Sequence, residues 1–187
     1  MRDNGRKILI ENIQNCDSFP SNVVVSAILE LCHLGERGDE KSLLPLLEHY
    51  DKKIAAAALS SLCFHFEFTK KLLNRIIQFA SEYPRDEEEH ELHRTAIFIL
   101  ADLATEDDTL LDQLIKIAEN YHNITPECTS AALMNAYVWE SLAELSGKKI
   151  KGWESEELFW NPQSTESEKI RDKIRTMLKN NQKLITK

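Results

Sequence analysis

Leu31-Cys32-His33-Leu34 is the first of four Leu-x-x-Leu phrases along this chain. The phrase returns at Leu59-Ser60-Ser61-Leu62, Leu100-Ala101-Asp102-Leu103 and Leu142-Ala143-Glu144-Leu145, at offsets of 28, 41 and 42 residues. Each phrase closes an amphipathic stretch, and a second amphipathic stretch follows the first three within about ten residues. Recurrence of this kind is typical of stacked helix pairs, in which neighbouring units bury one continuous core.

Composition agrees with an all-α protein of one domain. The chain has 187 residues, 42% of them hydrophobic, with only five Gly and five Pro. That apolar fraction can bury a sizeable core, and the scarcity of helix breakers favours helix over sheet. The four cysteines, Cys16, Cys32, Cys63 and Cys128, form no Cys-x-x-Cys pair. We interpret them as small core residues in a reducing compartment.

Apolar spacing predicts nine helices along the chain, over 4–15, 23–34, 40–50, 52–66, 69–83, 87–104, 107–122, 126–146 and 166–180. Asp51, Thr69 and Asp107 are expected to cap the helices that follow them. The run Ala55-Ala56-Ala57-Ala58 predicts close packing of neighbouring backbones. We therefore expect a single domain over 1–187, with an N-terminal capping helix in 1–22, repeats in 23–146, a Trp-rich insertion in 147–165 and a C-terminal capping helix in 166–187.

One part of the repeat region carries a resemblance to a known family. Leu34-Gly35-Glu36-Arg37-Gly38-Asp39, then Leu43-Leu44-Pro45-Leu46-Leu47, Asp51, Ile54, Ala57-Ala58 and Leu62, resembles the HEAT-repeat consensus of the bilin-lyase-like kind. The match is closest over 23–62 and looser over 63–146; Ala55 stands where that family has Arg. The resemblance implies an armadillo-type fold, a right-handed α-α superhelix of about four helix pairs plus an N-terminal helix.

HEAT-like proteins are mostly scaffolds whose second helices line a concave surface that grips proteins, peptides or, in some branches, nucleic acid. On that placement, the gaps between apolar residues predict the solvent-facing positions of the second helices. These candidate partner-binding residues are Lys41, Glu48, His49, Lys71, Asn74, Arg75, Gln78, Asp112, Gln113 and Lys116, with Glu119 beside them.

The segment 148–165 interrupts the repeat and holds Trp153, Phe159 and Trp160 without a clear helical period. We expect it to fold back over the end of the stack, where a terminal repeat has an apolar face to cover. The alternative is an exposed aromatic hot spot, so Trp153 and Trp160 are also candidate partner-binding residues.

Charge is unevenly distributed, with 13 Lys/Arg against 25 Asp/Glu in 1–147 and 10 against 6 in 148–187. An acidic body repels phosphate backbones and attracts basic partners, although solubility alone also explains such a charge. The basic tail carries Ile170, Ile174, Met177 and Leu178 at helical spacing, which favours a final amphipathic helix over contact with nucleic acid or membrane.

No catalytic constellation stands out. His90-Glu91-Leu92-His93 has its histidines at i, i+3, whereas the zinc-protease motif needs i, i+4. The acidic run 86–89 before it favours a helix start, or a docking patch for a basic partner.

The remaining histidines also show no catalytic arrangement, since His33, His65 and His122 lack a neighbouring nucleophile. We interpret Phe64-His65-Phe66-Glu67-Phe68 as a turn whose aromatic rings fill the corner between helices. We expect no cofactor and no metal site.

The leading hypothesis is a non-catalytic protein-binding module, active in the cytoplasm as a monomer or weak homodimer, with no signal peptide, membrane span or nucleic-acid partner. One version of it neutralises a basic protein, as bacterial immunity proteins do. The alternative is a HEAT-type enzyme or ligand-binding protein, such as a bilin lyase or DNA glycosylase relative. A third possibility is that the partner is another copy of the chain.

Overall fold

The computed structural model describes residues 2–34, 36, 38–84, 89–122, 129–161 and 163–185, and every regular element in these ranges is helical. The α-helices are α1 (Arg2–Gln14), α2 (Ser21–Leu34), α3 (Glu40–Leu43), α4 (Lys52–Phe64), α5 (Thr69–Ser81), α6 (His90–Leu103), α7 (Asp108–His122), α8 (Thr129–Leu145), α9 (Gly152–Trp160) and α10 (Thr165–Ile185). Two 3-10 segments cover Cys16–Ser18 and Leu44–Glu48. The all-α prediction is confirmed at this level.

The long helices α2, α4, α6 and α8 lie side by side in one row, each contacting the next. Small side chains explain the close approach in the middle of the row. Ala55 and Ala58 of α4 are fully buried, as is Ala96 of α6. An alanine adds almost no bulk beyond the helix backbone, so dispersion contacts form directly between neighbouring helices.

The remaining helices flank this row. α1 packs on α2, the segment Leu44–Glu48 on α4, α5 chiefly on α6, and α7 chiefly on α8. The core between the row and these flanking helices is made of buried leucine and isoleucine side chains, including Leu43, Leu59, Ile76 and Leu114. The four leucine pairs of the Leu-x-x-Leu phrases belong to the row, and Leu31, Leu59, Leu62, Leu100 and Leu142 are fully buried.

The second helix of the first predicted pair is less regular than expected. Instead of one helix over 40–50, α3 ends at Leu43 and a 3-10 segment continues to Glu48, with Pro45 in its first turn. Proline has no amide hydrogen and its ring clashes with the preceding turn, so an α-helix through residue 45 would lose a hydrogen bond. The prediction of a continuous helix is wrong there.

The predicted caps are only partly correct. The Asp51 carboxylate accepts a hydrogen bond from the Lys53 amide at 2.9 Å, and Asp107 accepts from the Thr109 amide at 2.8 Å. Thr69 is instead the first residue of α5, and its hydroxyl donates to the Cys63 carbonyl. The preceding turn has Phe66 and Phe68 packed on the core, but Phe64 is 57% exposed.

Residues 148–165 contain a helix that the sequence interpretation missed. Glu154 organises its start, because its Oε2 accepts from the Lys151 amide at 2.9 Å and from Lys148 Nζ at 2.7 Å. The segment does fold back on α8, where Leu158 is buried and its carbonyl accepts from Asn135 Nδ2. Its tryptophans do not cover the core, since Trp153 is 50% and Trp160 68% exposed.

The final amphipathic helix is confirmed, and it extends from Thr165 to Ile185. Ile170, Ile174 and Leu178 are buried, and the Arg175 guanidinium lies 5.1 Å from the Trp139 ring of α8. Expectations for the acidic run 86–88, for the boundary near Pro126 and for Cys128 lie outside the described residues. Within the described residues, no helix combines the length and apolar character that crossing a bilayer requires.

Candidate functional site

The solvent side of α2, α4 and α6 forms a depression of about 540 Å³, here called the N-terminal depression. Its floor is apolar or small and comes from consecutive turns of two helices, with Val25 and Leu29 on α2 and Ala56, Ala57 and Ser60 on α4. Leu29 is 46% exposed although it is a large apolar side chain. Small residues on the other side of α4 from the closely packed Ala55 and Ala58 therefore line a shallow channel on the outer surface of the row.

A second depression, of about 500 Å³, lies between α6, α7, α8 and α10 and is here called the C-terminal depression. Its apolar lining is made of Phe98, Ala101, Ala104, Leu111, Leu145 and Leu178. Three exposed carboxylates, those of Asp102, Asp108 and Glu144, also line it. Both depressions have the size of ordinary ligand or side-chain pockets.

An arginine and two aromatic rings adjoin the C-terminal depression on α6 and α8. The Arg94 guanidinium carbon lies 5.7 Å from the Phe98 ring centroid and 5.5 Å from that of Tyr137. The two rings are 6.2 Å apart in an edge-to-face arrangement, and Glu91 lies 3.8 Å from Arg94. Exposed cation–π contacts are weak, so this group does little for folding, whereas Arg and aromatic residues are enriched at binding hot spots.

The predicted partner-binding residues lie on a different surface, formed by the Leu44–Glu48 segment, α5 and α7. Three of them meet there, because Arg75 contacts Glu48 and donates to Gln78 Oε1 at 2.6 Å. Lys71 Nζ lies 4.1 Å from the Phe68 ring. Lys41, Asn74, Asp112 and Lys116 are exposed and Gln113 is half-buried. This surface is mixed in charge, and its role in binding stays a prediction.

His49 is not on that surface, so the expectation that it faces solvent is wrong. It is buried, its ring stacks on Tyr50 with centroids 4.4 Å apart, and its Nδ1 accepts from the Asp51 amide at 3.0 Å. His49 follows the 3-10 segment as its C-cap, with an extended backbone. A regular α-helix through this position, as assumed from the spacing, would have turned the ring outward.

Trp153 and Trp160 stand at the two ends of α9, with the Trp160 ring packed edge-to-face on Phe159 at 4.3 Å. Their exposure agrees with the hot-spot alternative more than with a capping role for their side chains. Whether they contact a partner stays a prediction.

Sequence reasoning missed the surface of the row helices as a candidate site. One signal was available, because Ala56, Ala57 and Ser60 repeat small residues along one side of α4, and Phe64 follows one turn later. Which side of α4 faces solvent depends, however, on how α2 and α6 pack against it. The apolar spacing of α4 alone does not determine that side, since nearly all of its residues are apolar or small.

One group of side chains has a metal-ligand composition. Single ligand atoms of Cys16, Asp17 and His49 lie within 4.8 Å of one another, and His49 Nε2 is 3.3 Å from Asp17 Oδ1. The Asp51 amide, however, donates to His49 Nδ1, so the neutral imidazole carries its proton on Nε2, the nitrogen that a metal would need. Metal-bound histidines have the opposite arrangement, with the second nitrogen donating. The geometry therefore does not support a metal at this cluster.

The histidine pair of the 90–93 motif does not form a comparable cluster among the described residues. His93 is buried, and its Nδ1 contacts the Phe79 carbonyl at 2.5 Å, which joins α6 to α5. Burial lowers the pKa of His93, more than the nearby Glu89 and Glu82 carboxylates raise it. This histidine is a packed element of the core.

The buried thiols are likewise unreactive by their surroundings. Burial raises the pKa of Cys63 to about 11, and it also raises the pKa of Cys32. Thiols of this kind stay protonated at neutral pH and are poor nucleophiles.

Comparison of the chain with protein-family models, with curated proteins and with solved structures finds no match.

Proposed function

We propose that this protein is a non-catalytic protein-binding module of HEAT-like architecture that holds its partner on the outer surface of α2, α4, α6 and α8. The observation that carries the proposal is the half-exposed group of Arg94, Phe98 and Tyr137 between two depressions with apolar floors. Apolar pockets next to arginine and aromatic anchors are the usual anatomy of a protein interface.

The helix arrangement supports the HEAT-like part of the proposal. A repeat stack needs one continuous row of helices and a second helix from each unit packed beside it. Here α2, α4, α6 and α8 contact one another in order, and each receives a flanking helix that precedes it in the chain. The broken 40–48 unit and the short α9 are departures from a regular repeat.

The charge of this surface supports a basic protein as the partner. Asp102, Glu140 and Glu144 lie along the half of the row formed by α6 and α8, and Asp108 begins the adjoining helix α7. In an acidic body of this kind they raise the association rate of a basic partner. The same charges oppose binding to a nucleic-acid backbone, which needs lysine and arginine along its track.

Site-specific photo-crosslinking in cells of the source organism tests the proposal. The photoreactive residue p-benzoylphenylalanine is placed at Leu29 or Phe98 on the row surface, and at Asn74 or Asp112 on the surface of α5 and α7. All four side chains are exposed, so none of the replacements disturbs the core. Crosslinked bands are then identified by mass spectrometry.

We expect one and the same protein crosslinked from positions 29 and 98, with no such band from 74 or 112. A discrete partner captured only from 74 and 112 would move the interface to the second helices. If no position yields a discrete protein, the protein-binding function is wrong.

A further inference from the structure

We propose that the C-terminal depression receives an arginine or lysine side chain of the protein partner, with the apolar part of that side chain inside and its charge at the carboxylates of Asp102, Asp108 and Glu144. This inference rests on the proposed function, and it names the chemistry by which the site recognises its partner.

The lining of the depression fits the stem of a long cationic side chain. Leu111 and Leu178 are buried and form part of the floor, and the half-exposed Phe98 ring forms one side. Arginine and lysine carry three or four methylene groups below the charge, and these bury readily against apolar surface while the charged end stays near water. A purely anionic or small polar ligand would leave this lining unused.

The charges of the depression fit the other end of such a side chain. In the part of the chain that the structure describes, the carboxylates of Asp102, Asp108 and Glu144 form no ion pair or hydrogen bond. Acidic groups of α10 and α9 differ in this respect, since Glu168 pairs with Arg175 and Glu154 with Lys148. The lining of the depression includes no lysine or arginine. Arg94 lies over Phe98 with Glu91 beside it, and Lys148, Lys149 and Lys151 line a neighbouring depression on the far side of Glu144.

The hydroxyl groups that line the depression already donate hydrogen bonds to backbone carbonyls. Thr105 Oγ1 donates to the Asp102 carbonyl at 2.7 Å, and Ser141 Oγ donates to the Tyr137 carbonyl at 2.9 Å. The carboxylates therefore receive no hydrogen bond from these hydroxyl groups and are free to accept one from a partner's side chain. They also do not converge within 4.8 Å as a set of ligands, which separates this site from a divalent-cation site and fits a guanidinium or ammonium group with several donors.

An NMR titration of the full-length ¹⁵N-labelled protein tests the assignment without requiring the partner. The probes are N-acetyl-L-arginine amide and, as a neutral control of similar stem length, N-acetyl-L-norleucine amide. We expect saturable shifts at the amides of Asp102, Thr105, Ser141 and Glu144 with the arginine derivative, and much smaller ones with the norleucine derivative.

Matched variants separate the depression from general acidity. The triple variant Asp102→Asn, Asp108→Asn, Glu144→Gln should weaken arginine binding about tenfold or more, because it removes the charge-assisted hydrogen bonds. The control Glu11→Gln, Glu30→Gln, Asp112→Asn changes net charge equally at exposed sites elsewhere and should stay within about twofold. If the triple variant unfolds, the single changes Asp102→Asn and Glu144→Gln serve, each with a smaller loss.

Equal loss in the triple variant and its control, or shifts spread over the acidic surface, would overturn the proposal. Saturable binding of the norleucine derivative at the same amides would also overturn it, since the charge would then be irrelevant. The result is independent of the crosslinking experiment. A crosslinked partner without arginine binding would refute only this pocket. Arginine binding without any crosslinked protein would refute the protein-binding function, and with it the partner to which this side chain belongs, but would leave the depression as a cation-binding site.

Discussion

At the scale of residues, the distinction that matters is between side chains that hold the fold and side chains that the fold leaves exposed. Phe79 of α5 is almost fully buried, whereas Phe98 of α6 is 45% exposed beside Arg94 and Tyr137. The same residue type therefore occupies two different environments in neighbouring helices. The proposed binding role of Phe98 requires that folding should not depend on it.

Substitution by alanine separates these roles. Phe79→Ala should lower the free energy of unfolding by about 3–5 kcal/mol, since it empties a packed site. Phe98→Ala should cost about 1 kcal/mol or less, because half of the ring is already in water. Urea denaturation followed by circular dichroism measures both. A loss at Phe98 as large as that at Phe79 would mean that its ring is part of the core and not a free binding anchor.

His93 predicts a pH dependence of stability. Burial lowers its pKa in the folded protein, so between that value and the unfolded pKa of about 6.5 the unfolded chain binds more protons. Stability that is present above pH 6.5 is therefore lost as the pH falls. His93→Asn, which keeps a donor for the Phe79 carbonyl, should flatten the decrease in unfolding free energy between pH 7 and pH 5. If the unfolding free energies of the wild type and of His93→Asn changed with pH in the same way, His93 would not be the cause of the decrease.

Part of the residue-level description could be predicted from sequence. Asp51 and Asp107 are correct as caps because an aspartate before a helix interacts only with the next few amides, which local sequence determines. Exposure of single side chains is less predictable. His49 is buried because the 3-10 segment rotates it relative to an α-helix, and Leu29 and Phe98 are exposed because of how neighbouring helices pack.

At the scale of elements, α4 is the helix on which the row depends. Ala58 is fully buried, whereas the adjacent Ala57 is half-buried on the solvent side, in the N-terminal depression. Ala58→Leu should therefore force α4 away from its neighbours and lower stability by about 1–3 kcal/mol. Ala57→Leu should cost much less, because its side chain can extend into the depression. Thermal denaturation of the pair tests this, and equal losses would show that the row is not closely packed at Ala58.

The attachment of α9 depends on a buried ion pair. Lys148 Nζ and Glu154 Oε2 are 2.7 Å apart with both side chains more than nine-tenths buried. Glu154→Gln leaves the ammonium group without a compensating charge, which should cost about 3–5 kcal/mol. The double change Lys148→Met, Glu154→Gln should recover part of that loss. Denaturant titrations measure the difference, and a single variant as stable as the wild type would show that the pair does not hold α9.

Helix α9 was also the element that sequence reasoning missed. Its first turn is stabilised by Glu154, whose carboxylate binds both the Lys151 amide and the Lys148 side chain. Leu158 is the one buried hydrophobic residue of this helix, so the sequence of α9 has no apolar periodicity from which a helix could be predicted. The break at Pro45 was overlooked for the converse reason, since four leucines with helical spacing surround it.

At the scale of the whole molecule, an all-helical fold could be predicted because it depends on averages: few helix breakers and repeated apolar spacing over most of the chain. The order of contacts along α2, α4, α6 and α8 follows from the same repetition. The position of the candidate site could not be predicted from the sequence, because depressions form where surfaces of several helices meet and the packing of those helices is not visible in the sequence. Residues as distant in sequence as Phe98, Leu111, Ser141 and Leu178 line one of them.

The central claim is that the row surface, and not the surface of α5 and α7, binds a protein. Its most direct test is isothermal titration calorimetry with the partner identified by crosslinking, at physiological salt. We predict that Arg94→Ala and Phe98→Ala each weaken the affinity at least about tenfold, as expected of hot-spot residues, while Lys71→Ala and Asn74→Ala leave it within about twofold. Loss of affinity in Lys71→Ala and Asn74→Ala, with Arg94→Ala and Phe98→Ala binding as the wild type does, would contradict the account.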